Sequence, residues 1–303
     1  MKSFLKQIAL FLSFFICASI ILFLSINLLI NKKGNFDEST QSSTYILGHS
    51  HAEFAYNDTL INKTKNFANS AEPYFYTYSK LIKLSSHNPE IKLVTLEFSN
   101  NSISKAMNDW IWEEKYLNHR FTFYAPFLDF DQIQTLLIYN PIYTIENYFK
   151  SIINNLWKLV RDDIDYIRYF GRYSALTREM SSDEIIEFEQ EQSSPISSIN
   201  LYYLDKIVNF CKEKNIKLIF IRTPQHESCS ELANEPTFQK IYHENYTQVP
   251  FLDLQKFPLE LNDFADVEHL NQNGARKLSN WFNQKLKTGK IESLQPGLTE
   301  YFP

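Results

Sequence analysis

The chain has 303 residues, 44% of them hydrophobic and 16% aromatic, enough for one large domain or two small ones around a packed core. Its formal net charge of −5, with Lys and Arg scattered rather than clustered, excludes the basic footprint that nucleic-acid binding needs. The 3 cysteines and 7 histidines show no spacing typical of a zinc site, so neither a metal nor another cofactor is expected.

From the N-terminus, Ile8 to Ile30 is an almost unbroken apolar run with no charged side chain. At about 1.5 Å per residue it can cross a hydrocarbon layer of about 30 Å. It is longer than the apolar core of a typical signal peptide, and no small-x-small cleavage pattern follows it. An uncleaved, single-pass anchor over residues 1–33 is therefore expected, separable from a soluble outer domain. Lys2 and Lys6 precede the run, while Lys32 and Lys33 are soon offset by Asp37 and Glu38. This slight positive-inside bias places the remainder outside the cytoplasm. Residues 34–43 are polar and read as a short linker.

Tyr45 to Leu47 is a short β-prone run that stops at Gly48; Ser50 follows, then helix-compatible spacing from Ala52 to Ile61. Asn66 to Glu72 reads as a short strand ending in a loop, and Tyr74 to Leu84 as a helix. Ile91 to Phe98 is a strong strand, closed by Ser99-Asn100-Asn101-Ser102. Phe121 to Arg178 is rich in aromatics and has helical patches such as Thr144 to Leu159. It marks a helical insertion over about 104–195, whose aromatics are expected to pack between helices; the alternative is that surface aromatics face the membrane or a glycan. Met180 to Ser197 is an acidic, Ser-rich, exposed connection. Asn200 to Lys214 is an amphipathic helix, Ile216 to Ile221 a buried strand, and Thr237 to His243 a helix. Val249 to Leu254 is the last strand and Gly274 to Leu286 the closing helix; residues 291–303 form a tail. Cys211 and Cys229 flank a strand and should stand at opposite ends of the sheet, too far apart to be bridged.

Strands alternating with helices predict a parallel sheet with helices on both faces. Right-handed crossovers then bring the strand C-termini to one edge, where such sheets carry their sites. Four loops should meet there: Gly48 to His51, Asn66 to Glu72, Ser99 to Ser102, and the segment around Asp266. A serine held between a strand and a helix, just after a glycine, is placed to act as a nucleophile; the same position also suits a helix N-cap. Asp266-Val267-Glu268-His269 lies between the last strand and the last helix. An Asp-x-x-His loop lets the carboxylate orient one imidazole nitrogen while the other faces a serine. His49 is assigned no chemical role.

Together these pieces resemble the SGNH or GDSL hydrolases over residues 44–290, interrupted by the insertion. Gly48-His49-Ser50 looks like the family's first block, with His49 in place of its aspartate. Asp266-Val267-Glu268-His269-Leu270-Asn271 looks like the last. Asn66 to Ala71 is similar to the second block, with Ala71 where the family has glycine, and Ser99-Asn100-Asn101 to the third. The resemblance implies a flavodoxin-like three-layer α/β/α sandwich with a parallel five-stranded sheet. It implies Ser50, His269 and Asp266 as catalytic residues. The oxyanion donors would be the Ser50 and Ala71 N–H groups and the side chain of Asn101, with Asn100 as the alternate. The implied function is an acyl esterase or an O-acyltransferase acting on acylated cell-envelope or extracellular glycans, or on a small acyl ester. A membrane acyltransferase would be a partner, and nucleic acid would not. With the departures in its blocks, the chain also fits an inactive glycan-binding or scaffold subunit of a membrane acylation complex.

Overall fold

The computed structural model describes residues 1–38, 41–185 and 195–297, and the backbone of 299–301. Of the expected acidic connection, residues 186–194 lie outside the described residues. In chain order the elements are α1 (Lys2–Lys33), β1 (Thr44–Leu47), α2 (Ser50–Ala55), β2 (Thr64–Asn66), α3 (Tyr74–His87), β3 (Leu93–Glu97), α4 (Asp109–Trp112), α5 (Glu114–Tyr124), α6 (Phe130–Tyr139), α7 (Pro141–Val160), α8 (Ser198–Glu213), β4 (Lys217–Arg222), α9 (Glu235–Asn245), β5 (Phe251–Asp253), α10 (Gln272–Lys287) and β6 (Thr299–Tyr301).

All strands pair in parallel, in the order β2-β1-β3-β4-β5-β6. The first five reproduce the order of a doubly wound, flavodoxin-like sheet, and the C-terminal tail adds β6 at one edge. Alternation along the strands sorts two cores. Ile46, Ile219, Ile221 and Leu252 pack with Ala52, Tyr56, Leu278 and Phe282 of α2, α10 and their flanks. On the other face Phe98, Phe220 and Phe251 stack with Phe238 and Tyr242 of α9, their ring centroids 4.7–6.3 Å apart. Cys17, Cys211 and Cys229 are all free thiols.

Two elements differ from the sequence reading. The helix after β1 ends at Ala55 instead of running to Ile61, because the Asn57 side chain accepts the Thr59 N–H and starts a separate 3-10 turn over Asp58–Leu60. The strand expected within Asn66 to Glu72 lies earlier, with Thr64 to Asn66 paired to Thr44 to Ile46. It stops at Asn66 because that side chain folds back, donating to the Ala52 and Tyr56 carbonyls and accepting the Ala68 N–H.

The chain divides into two compact units, one of residues 1–36 and 112–166, the other of the sheet and its helices. α1 is long and apolar enough to cross a membrane. It is not a free-standing anchor, however. Phe23, Ile26, Asn27 and Ile30 are buried, Phe23 packs on Tyr148 of α7 at 4.7 Å, and Asn27 donates to the Ala125 carbonyl. The expected polar linker is also packed where it is described. Phe36 is fully buried against Phe127 and Tyr166, and the Glu38 carboxylate accepts the Ser42 N–H.

Deleting residues 1–33 should therefore strip cover from α5 and α7. The truncated chain is expected to bind an apolar fluorescent dye and to need detergent to stay monodisperse. A dye-free, monodisperse truncated protein would show that α1 contributes nothing to its unit.

Candidate functional site

The turn that carries Ser50 is shaped from below. At the C-terminal end of β3, the fully buried Glu97 carboxylate accepts through Oε2 the N–H groups of His49 (3.0 Å) and Ala52 (3.2 Å). These two amides flank Ser50. No acceptor is found for the Ser50 N–H among the described residues. Gly48 has φ +151°, and a Cβ there would stand 2.5 Å from Glu97 Cβ and 2.6 Å from its Oε2. Glycine is required because the carboxylate fills the space a side chain would need.

Ser50 Oγ lies 2.9 Å from His269 Nε2, and His269 Nδ1 lies 2.9 and 3.1 Å from the two Asp266 oxygens. The loop that brings them there is closed by its own bonds. The Ala265 N–H donates to the His269 carbonyl, and Phe264 bridges Leu270 in antiparallel fashion. Asp266 Oδ1 also accepts the N–H groups of Glu268 and His269, each at 2.9 Å. One carboxylate thus turns the loop and orients the imidazole. Burial alone would raise the Asp266 pKa, but the bonds from His269 and the two amides outweigh it and hold the carboxyl below its ordinary value. Asn271 caps α10 immediately afterwards, its Oδ1 accepting from Asn273 and Gly274.

The second loop hangs on the first. The Asn69 N–H donates to the Gly48 carbonyl at 3.1 Å, and Glu53 of α2 accepts the Ser70 N–H and hydroxyl at 2.5 and 2.6 Å. Buried Lys80 bonds Glu72 Oε1 at 2.6 Å and the Phe67 carbonyl at 2.7 Å. Ala71, in the place where the resembled family has glycine, takes φ +54°, a left-handed conformation that costs an L-residue about 1–2 kcal/mol.

The third loop decides between the two asparagines. The Asn100 side chain is consumed: Nδ2 donates to Asn234 Oδ1 and Glu235 Oε2, and Oδ1 accepts from Arg222 Nη1. It cannot serve as an oxyanion donor, which corrects the alternate assignment. Asn101 is half-buried, and its side chain has no hydrogen-bond partner among the described residues. Arg222, almost fully buried, also makes a two-pronged pair with Asp253 and bonds Glu235 Oε2 at 2.6 Å.

Sequence reasoning missed Glu97, Arg222, Glu53 and the histidine cluster. His49 Nε2 and His51 Nδ1 each stand 3.0 Å from Glu97 Oε1, all three side chains buried. Burial opposes charge on His51, yet the Glu97 carboxylate, with a lesser push from Glu231, wins and raises its pKa. Burial dominates at His49 and keeps it neutral. Burial also opposes charge on Glu97, and the charge on His51, with the bonds from His51 and the Ala52 N–H, overcomes it and lowers its pKa. The pair is thus a Glu97 carboxylate and a His51 imidazolium. Among the described residues, His49, His51 and Glu97 are also spaced closely enough to hold a metal ion.

A family model with no described function matches residues 174–290, which take in β4, β5, α10 and the Asp266–His269 loop but not Ser50. None of the curated proteins matches the chain.

Arg222→Ala should cost roughly 3–5 kcal/mol, because it leaves the Asp253 carboxylate buried without its partner; chemical denaturation of the variant against wild type measures this. Ala71→Gly should stabilise by about 1 kcal/mol by removing the left-handed penalty, read as a raised unfolding midpoint. The raised His51 pKa contributes stability that is fully present below its unfolded value, near 6.5, and is lost as the pH climbs through the folded value. Wild type should therefore lose thermal stability between neutral and alkaline pH more steeply than His51→Gln, and parallel profiles would remove the imidazolium.

Proposed function

We propose that the protein is a serine-dependent acyl esterase or O-acyltransferase of the SGNH type, acting on acylated cell-envelope or extracellular glycans. The observation that carries this reading is the unbroken chain Asp266–His269–Ser50, with two 2.9 Å links, at the C-terminal edge of a parallel sheet. His269 uses both ring nitrogens, as a general base flanked by an orienting carboxylate must.

In this reading Ser50 Oγ attacks the ester carbonyl while its proton passes to His269 Nε2. The C=O pair moves onto oxygen, and the anion is met by the Ser50 and Ala71 N–H groups and the Asn101 amide. Collapse of the tetrahedral species breaks the bond to the alkoxide, which leaves with the proton from His269 Nε2. The acyl group remains on Ser50. A water or a sugar hydroxyl then gives its proton to His269 and attacks the acyl-serine, and Ser50 departs reprotonated. Water makes the protein an esterase and a glycan hydroxyl makes it a transferase. The compensated Glu97–His51 pair matters here, since a bare carboxylate beneath the turn would oppose the oxyanion.

The reading places this unit outside the cytoplasm, anchored by α1, where an acylated envelope glycan and a membrane acyltransferase partner are within reach.

A fluorophosphonate probe should label Ser50 in wild type and nothing in Ser50→Ala. With a small acyl ester, Ser50→Ala and His269→Ala should each lose on the order of 10⁶-fold in kcat and Asp266→Asn less, roughly 10⁴-fold. Well-folded wild type that neither labels nor turns over an ester or transfers an acetyl group would sink the enzymatic reading and leave a glycan-binding subunit.

A further inference from the structure

In the helical unit of residues 1–36 and 112–166, α7 turns a mostly polar side inward, against buried Phe23, Leu117, Phe121 and Leu136 of its neighbours. α7 buries Thr144, Asn147, Ser151 and Asn155, all at most 2% exposed. Three of them bond across helices: Asn147 donates to Asn118 Oδ1 at 2.9 Å, Asn155 to the Thr122 carbonyl at 3.0 Å and Thr144 to the Leu136 carbonyl at 3.0 Å, while Ser151 donates to the Tyr148 carbonyl of its own helix. α6 likewise buries Gln132, which is bonded to Asp129 through its capping box. The opposite face of α7 is a stripe at helical spacing, in which Ile142 is 74%, Ile153 58% and Val160 67% exposed, with Ile145, Phe149 and Leu156 between them. On α6, Phe130 and Ile138 are 78% and 64% exposed. For this face, packing between helices, the preferred sequence reading of the aromatics, does not hold, and the alternative of an outward-facing surface remains.

A water-soluble helix sets its apolar stripe toward the core and its polar residues toward solvent. Helices in lipid do the reverse, placing Asn, Ser and Thr at contacts between helices and apolar residues outward. The occupant of the exposed face is fixed by what it continues. In the same unit, Phe149 of the stripe stacks on Phe15 of α1 at 6.2 Å, and Tyr148 bonds Ser19 at 3.2 Å. Ser19 is the midpoint of the run Ile8 to Ile30 and Phe15 lies about one turn before it, so a span of that run puts both inside the hydrocarbon. α7 does not cross the membrane itself, for Glu146 and Lys150 pair at 2.6 Å along one flank and stay half-exposed.

We infer that α6 and α7 form a lipid-embedded surface element, with Ile142, Ile145, Phe149, Ile153, Leu156 and Val160 sunk into the same bilayer that α1 crosses. The chain then holds its membrane by a spanning helix and an amphipathic helix packed on it, whose apolar stripe meets lipid. This does not depend on the catalytic reading, and its test involves no turnover.

The experiment uses the full-length chain with Cys17→Ser, the two other cysteines being buried. Single cysteines replace Ile145, Phe149 or Ile153, with exposed Asn154→Cys as the aqueous control, in phosphatidylcholine nanodiscs. The three stripe positions should react with a membrane-impermeant maleimide about tenfold more slowly than position 154, and spin labels there should be relaxed by oxygen and shielded from a water-soluble nickel chelate. Reaction as fast as the control would overturn the inference. So would protection in native membranes that disappears in nanodiscs, since a protein partner would then cover the stripe. If the cysteine variants misfold, the unmodified chain still decides. Trp157, 54% exposed beside the stripe, should be quenched by brominated lipid, with Trp157→Phe removing the quenched component; no quenching overturns the proposal.

Discussion

The site depends on one buried carboxylate. Glu97 sits at the end of a central strand with no exposure, and both its oxygens are committed. Oε2 takes the two amides that bracket Ser50; Oε1 faces the two histidines that flank it in sequence. A carboxylate in that position would be prohibitively costly unless bonded and compensated. The amides supply the bonds and the His51 imidazolium supplies the charge. Gly48 follows as a consequence, because the carboxylate occupies the volume of any side chain at that position. His49, replacing the aspartate of the resembled motif, is thereby explained as a neutral wall of the same pocket, packed edge-on to His51 and Trp110.

The other loops at this edge follow the same logic. The chain has only 6 glycines, so it has few positions where the backbone can turn or approach closely at no steric cost. Buried charge holds the loops instead. Lys80 ties the second loop through Glu72 and the Phe67 carbonyl. Arg222 fixes the third through Asn100. Asp263, paired with Lys277 at 2.6 Å, holds the approach to the Asp266 loop, where its carbonyl also accepts the Asn271 N–H. Each anchor constrains direction as well as distance, which a packed apolar side chain does less well. Ala71 keeps a left-handed backbone because its loop is held from both sides, by Glu53 and by Lys80.

The sheet, its parallel pairing and the convergence of Ser50, Asp266 and His269 were legible in the sequence, because they rest on alternating periodicities and on a crossover of fixed hand. The anchors were not, although a trace of them is visible. Glu97, Arg222 and Asp253 are charged residues at the C-terminal ends of mostly apolar strands, and Arg222 pairs directly across the sheet with Asp253. A charge at the end of a buried strand has to find a partner, and the C-terminal edge is where partners lie. Which partner it finds is a tertiary fact: Glu97 meets residues 46 and 48 positions earlier, a separation that no local spacing rule reaches. The choice between Asn100 and Asn101 was closed in the same way, since it turns on Arg222 reaching the first of them.

The helical unit shows the opposite limit of sequence reading. The periodicity of α7 was read correctly as helical, but periodicity carries no sign. It states that one face differs from the other, and it does not state which face meets protein. In the unit that holds the sheet, apolar faces turn inward because water is the alternative. In the unit that holds α1, the buried positions of α7 are Thr144, Asn147, Ser151 and Asn155 together with Ile152, and the aliphatic stripe is left outside. Water would drive that arrangement to invert, because apolar area of this kind gains about 25 cal/mol per Å² on leaving it. Hydrocarbon removes that drive and makes each inward amide valuable, since an unpaired one would have no water to meet. On the inference drawn above, the apolar N-terminal run would do more than attach the chain. It would set the solvent in which its own unit folds, and with it the sense in which the amphipathic pattern of α7 has to be read.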